Sequence, residues 1–131
     1  GRLYNFENAK KACLEGFHMP TKAEWNELLA FAGKEKQVGT VLKAGYGWDP
    51  IKGTNNYGNG KDELGFGAKA GGAHFAKSDV PLKERKFEAA GQKAFFWTAE
   101  GEVLVFFHDK DIAKFEKFNP EYGASLRCIK D

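Results

Sequence analysis

Three features of this sequence predict an α+β fold. Two stretches near the start carry apolar residues at helical spacing, a glycine-rich run fills the middle, and several β-prone segments follow one another towards the end. The resulting order is strand, two helices, long loops, then an antiparallel sheet.

Taken in order, Gly1-Arg2-Leu3-Tyr4 reads as a first strand. Asn5 can then cap a helix on which Phe6, Ala9, Ala12 and Cys13 share a face, with Gly16 at its end. Phe17-His18-Met19 is a short strand stopped by Pro20, which cannot donate a backbone hydrogen bond and holds the residue before it extended. A second helix starts at once. Thr21 and Glu24 form a capping box, Trp25, Leu28, Leu29 and Ala32 recur at helical spacing, and Gly33 stands where a left-handed cap belongs.

From residue 39 to 72 glycines recur every few positions, with Asp49-Pro50, Asn55-Asn56 and Asn59-Gly60 as turn signals and Tyr46, Trp48, Tyr57 and Phe66 between them. The aromatic residues argue for an ordered loop region, and a loop this long in a compact domain is usually functional. Residues 77–93 are of mixed charge and read as a surface connection with at most a short helix. Strands are predicted over residues 94–98, 102–108, 112–118 and 124–130, the middle pair forming a hairpin that turns at Asp109-Lys110-Asp111. Val103 to Phe107 are apolar without alternation, the mark of a central strand covered on both faces.

Length and composition set bounds. At 131 residues the chain is one expected domain, of a size that buries roughly two thirds of its unfolded surface. Its net charge is +2 with lysines spread from end to end, too weak a bias for a phosphate-tracking surface, so nucleic acid is not an expected partner. No apolar run approaches membrane-spanning length. The opening residues carry no signal-peptide pattern, and any targeting segment is expected upstream in a longer parent or already removed.

The two cysteines, Cys13 and Cys128, have no metal pattern around them. A disulfide is their plainest use, worth about 4 to 5 kcal/mol in the chain-entropy account, and it would tie the ends of the chain together. Two separate buried thiols in a cytosolic protein are the alternative.

The motifs that carry a family resemblance run almost end to end: Gly1-Arg2-Leu3-Tyr4-Asn5, Cys13, Gly16-Phe17-His18-Met19-Pro20, Glu24-Trp25, Leu42-Lys43, Trp48, Asp62-Glu63, Gly65-Phe66, Gly71-Gly72, Phe96-Trp97 and Arg127-Cys128-Ile129-Lys130-Asp131. Together they resemble the Fibrobacter succinogenes major paralogous domain. That family is similar in turn to the formylglycine-generating sulfatase-modifying family and to C-type-lectin-like folds, which share the Pro-Thr-x-x-Glu-Trp helix start and the Arg-Cys ending. The resemblance implies a C-type-lectin-like domain: two helices packed on small antiparallel sheets, long glycine-rich loops, and termini adjacent. It also implies a secreted or cell-surface bacterial protein without a settled activity. The chain departs from the family pattern at Thr98-Ala99-Glu100, at Ala124, and at Ala73-His74-Phe75 after the paired glycines, so its loop surface is its own.

Catalytic readings find little support. Formylglycine generation in the related enzymes uses two neighbouring cysteines and a copper ion, and this chain lacks such a pair. Ser78 and Ser125 are the only serines, neither in a nucleophile elbow, and the three histidines lie far apart in sequence. His18 reads as a satisfied structural residue, and convergence of His74 and His108 on a metal would be coincidence. Calcium could draw on the oxygens of Asn55, Asn59, Asp62 and Glu63. It is not favoured, because the Glu-Pro-Asn and Trp-Asn-Asp signatures of calcium-dependent sugar binding are absent and Lys61 sits inside the cluster. No cofactor is therefore assigned.

Trp25 and Trp97 are expected in the core, whereas Trp48 either pins its loop to the core or faces a ligand. The expected function is an extracellular, non-catalytic recognition or adhesion module for a carbohydrate or surface protein. An enzyme of the formylglycine-generating type with an unrecognised active site is the alternative. Ligand contacts are expected from Tyr46, Trp48, Asn56 and Tyr57 on one loop, with Asn119 and Tyr122 of a second loop alongside.

Overall fold

A computed structural model describes residues 2–33 and 37–131. The start of the predicted first strand, Gly1, lies outside them. What forms there is a single antiparallel bridge from Tyr4 to Ala124, with the Tyr4 amide donating to the Ala124 carbonyl at 2.8 Å and the return bond at 3.0 Å.

Helix α1 spans Phe6–Ala12, and the Asn5 side chain caps it by accepting from the Asn8 amide at 2.8 Å. It stops short of the predicted end at Gly16. Cys13 already has extended backbone, with its sulfur joined to that of Cys128, while Gly16 at φ +89° makes the turn into β1 (Phe17–His18). Strand β1 pairs antiparallel with the last strand of the chain (Ile129–Lys130), so the disulfide and this pairing hold the two ends of the chain side by side.

Helix α2 spans Lys22–Phe31 and carries both halves of the predicted capping box: the Glu24 amide donates to Thr21 Oγ1 at 3.1 Å and the Thr21 amide to Glu24 Oε1 at 3.0 Å. Gly33 follows its end at φ +107°. A third helix, α3 (Val38–Leu42), was not legible as such: it lies at the start of the stretch read as loop. Its single turn is too short for a periodic signal, and what holds it is burial of Val38 and Leu42 in the core beside Trp25.

Strand β2 (Ala73–His74) pairs with β3 (Phe87–Glu88), a small sheet not predicted from the sequence, and a 3₁₀ turn at Leu82–Glu84 lies between them. The main sheet is β4 (Lys93–Trp97), β5 (Glu102–Phe107) and β6 (Ala113–Lys117), all antiparallel, with β5 in the centre as its continuous apolar run predicts. Alternation then divides the core in two. Ala94, Phe96, Leu104 and Phe106 face one cluster with Trp25, Leu42, Trp48 and Ala68. Phe95, Trp97, Val103, Val105 and Phe107 face the other with Ala9, Met19 and Ala124.

The predicted last strand, 124–130, is broken. Ala124 pairs with Tyr4, Ser125 bridges Phe96 on the open edge of β4, and only Ile129–Lys130 form the regular strand β7. One segment serves three partners, so no single ladder can run along it.

Candidate functional site

Trp48 is the pivot of the glycine-rich loop. It is 2% exposed, its indole N–H donates to the Ala68 carbonyl at 3.0 Å, and its backbone N–H donates to Asn59 Oδ1 at 2.9 Å. The Lys43 ammonium sits 5.0 Å from the centre of its ring and donates to the Phe107 carbonyl at 3.0 Å. Trp48 is thus the core pin of the two expected roles and not a ligand contact; a ring this deeply buried has no face to offer. Further backbone bonds, Asp49 to Gly91, Gly58 to Asp49, Ile51 to Asn56 and Gly60 to Ala44, fasten the loop at several points.

On this fastened loop Tyr46 and Tyr57 are 63% and 64% exposed, and Asn56 is exposed beside Tyr57. Tyr57 borders a groove of about 340 Å³ with Thr40, Lys43, Ile51, His108 and Asp111. Its polar groups are largely committed to structure. Asp111 accepts from the Thr40 amide and, at 3.0 Å, from the Thr40 hydroxyl; burial lowers the pKa of Lys43 while the Asp111 and Asp109 carboxylates work against that. Nδ1 of His108 is buried without a hydrogen-bond partner among the described residues.

Asn119 and Tyr122 do not lie alongside this loop. Tyr122 packs edge-on against Phe75 and Phe118, with ring centres 5.5 and 5.6 Å away, and Phe118 belongs to the cluster on the opposite face of the sheet from Trp48. Asn119 Oδ1 accepts from the Glu121 amide at 2.9 Å and serves its own turn. The strand alternation that splits the core also separates the two loops.

Of the four residues considered for calcium, Asn59 and Asp62 each have a side-chain oxygen in a structural hydrogen bond. Asn59 Oδ1 holds the Trp48 amide and Asp62 Oδ1 accepts from the Gly67 amide at 2.7 Å, stabilising a turn in which Asp62 itself has φ +47°.

A larger groove, about 550 Å³, opens beside the edge of β4 that faces away from β5. Two segments dock on that edge in parallel bridges: Gly72 opposite Ala94, and Ser125 opposite Phe96. The Trp97 amide donates to the Ser125 carbonyl at 3.0 Å, the Ser125 amide to Phe95 at 2.8 Å and the Gly72 amide to Lys93 at 2.9 Å. Phe96, Gly71 and Ser125 line the groove between these attachments, Tyr4 and Phe87 add aromatic surface, and Arg2, Lys69 and Arg127 bring the charge. The Arg127 guanidinium lies 4.2 Å from the centre of the Phe66 ring and donates to the Phe66 carbonyl at 2.9 Å. Burial pulls its pKa down from the ordinary value, with the Asp62 carboxylate opposing. Lys69 reaches 5.8 Å from the centre of the Tyr46 ring, which places this groove next to the glycine-rich loop. Arg2, Tyr4, Gly71, Phe96 and Arg127 stand in the sequence only as parts of separate family motifs, and they come together with Lys69 and Phe87 through the docking of remote segments on β4.

The fold and this surface define a class: a disulfide-bonded α+β domain with its chain ends held together and its exposed aromatic side chains on a fastened loop. Within that class the chain belongs to the Fibrobacter succinogenes major domain family, a bacterial family whose model matches residues 1–130. Comparison with curated proteins and with solved structures gives no match.

Proposed function

We propose that this chain is an extracellular, non-catalytic recognition module with a C-type-lectin-like arrangement, binding a carbohydrate or protein ligand through the surface around Tyr46 and Tyr57. The observation that carries this reading is the pairing of two well-exposed tyrosine rings with a backbone already fixed by Trp48. Large rings held on ordered backbone supply contact area at little ordering cost on binding. The Cys13–Cys128 disulfide supports an oxidising compartment outside the cytoplasm. Among the described residues no helix is long and apolar enough to cross a membrane. The alternative, an enzyme of the formylglycine-generating type, would need thiols, and both cysteines here are joined to each other.

The test is a glycan and surface-protein binding screen run with the parent chain and with a Tyr46→Ala/Tyr57→Ala variant. The double variant should keep its unfolding midpoint and lose about tenfold or more in affinity for the ligand found. A ligand bound equally well by both proteins places recognition elsewhere and overturns the proposal.

A further inference from the structure

We propose that the groove on the β4 edge binds an acidic oligosaccharide, with a sugar carboxylate or sulfate at Arg2, Lys69 and Arg127 and a pyranose face against the aromatic wall. This goes beyond the recognition reading above: the groove is a second site beside the Tyr46 loop, with a ligand class of its own.

Charge points to an anion. Three cations and no carboxylate line the groove, in a chain whose net charge is only +2. Among the described residues none of the three is in an ion pair. Asp62, whose field reaches Arg127, is held by the Gly67 amide. Arg127 is also preorganised: it is half-buried, stacked on Phe66, and anchored by one N–H on a carbonyl, its only hydrogen bond to the described residues. A partly desolvated guanidinium whose planar donors have no carboxylate partner is ready to donate to a carboxylate or sulfate, and two further cations reinforce it.

Shape and apolar surface point to a sugar. The groove falls within the size range of small-ligand sites, and Gly71 leaves it open because no side chain stands there. Phe87 is 70% exposed on one wall, with Tyr4 and Phe96 also lining the groove. A flat apolar ring beside a cationic cluster matches a ligand that is apolar on one face and anionic at its rim, as uronic-acid and sulfated pyranoses are. Free phosphate would use the cations and ignore the ring, and a peptide of aspartate and glutamate alone has no apolar ring to lay on it.

The test is calorimetric titration of the chain with a short oligogalacturonate, a sulfated heparin-derived oligosaccharide, a neutral cello-oligosaccharide and an acidic peptide of equal charge. At least one acidic sugar should bind, weaken as salt rises, and exceed the neutral sugar by about tenfold or more. Arg2→Gln/Lys69→Gln, which alters only exposed side chains, should lower that affinity about tenfold with an unchanged unfolding midpoint, and Phe87→Ala should also lower it. The uronate and sulfate arms distinguish the two sources of negative charge. The proposal is overturned if no acidic sugar binds, if the neutral sugar binds as well, or if the variants bind like the parent chain. It also fails if the acidic peptide binds as tightly as the sugar and Phe87→Ala leaves both untouched. Failure here together with a neutral-glycan or protein ligand that depends on Tyr46 and Tyr57 removes this inference and leaves the recognition reading standing.

Discussion

The indole N–H of Trp48 donates to the carbonyl oxygen of Ala68 across 20 residues of sequence, at 3.0 Å. That bond closes the glycine-rich loop onto the core, because Trp48 and Ala68 are both buried in the cluster with Phe96 and Phe106. The loop can therefore expose two tyrosines and still hold its shape. Trp48→Ala should cost about 3 to 5 kcal/mol by leaving a cavity the size of an indole. Tyr46→Ala and Tyr57→Ala should each stay within about 0.5 kcal/mol of the parent. Urea unfolding of the three variants checks this, and an unchanged midpoint for Trp48→Ala would show that the ring is not the pin.

The bridge between Cys13 and Cys128 closes a loop with a sequence separation of 115. Its removal by a Cys13→Ala/Cys128→Ala double substitution should destabilise the fold by about 2 to 5 kcal/mol. Protein from an oxidising compartment should show no alkylated thiol by intact mass until reductant is added.

His18 is held by two carboxylates, Nδ1 meeting Asp131 Oδ1 at 2.6 Å and Nε2 meeting Glu24 Oε2 at 2.8 Å. These bonds, Asp131 first and Glu24 second, raise its pKa above the ordinary 6.5. A raised folded-state pKa means that the stabilisation is complete below 6.5 and fades as pH climbs through the folded value. Imidazole titration by NMR should place the midpoint above 6.5, and Asp131→Asn should bring it down. Amide exchange at Ile129 and Lys130, whose strand pairs with that of His18, should quicken above the transition. A midpoint unmoved by Asp131→Asn would break the assignment.

A Cβ at Gly58 would overlap the carbonyl group of His108, which is backbone and cannot swing aside. Gly58→Ala should destabilise by about 1 to 3 kcal/mol, as overpacking does, even though alanine is compatible with most backbone conformations. Thermal unfolding measures it, with Gly53→Ala as the contrast: there the Cβ meets open space and the strain comes from φ +82° alone.

Features with local causes were legible in the residues. Thr21 and Glu24 lie three residues apart and cap the same turn, so α2 could be placed to within a residue of its observed start. Val103 to Phe107 lack polar alternation because both faces are covered, and that is visible without knowing by what. Tyr46 and Tyr57 were named with their loop, whereas Trp48 could be read as pin or as ligand contact, since local residue chemistry says nothing of where an indole is packed. Packing resolves that choice, by bringing Ala68 to its N–H. Only the tertiary structure separated residues 119–122 from residues 46–57, because side chains on successive positions of β4 and β5 point to opposite faces. The cationic groove was equally hidden: Arg2, Lys69 and Arg127 are 67 and 58 positions apart along the chain, and meet because Gly72 and Ser125 dock on one edge of β4. A contact between distant segments leaves no periodic trace in either of them, which is the physical reason the groove had to be found in the fold.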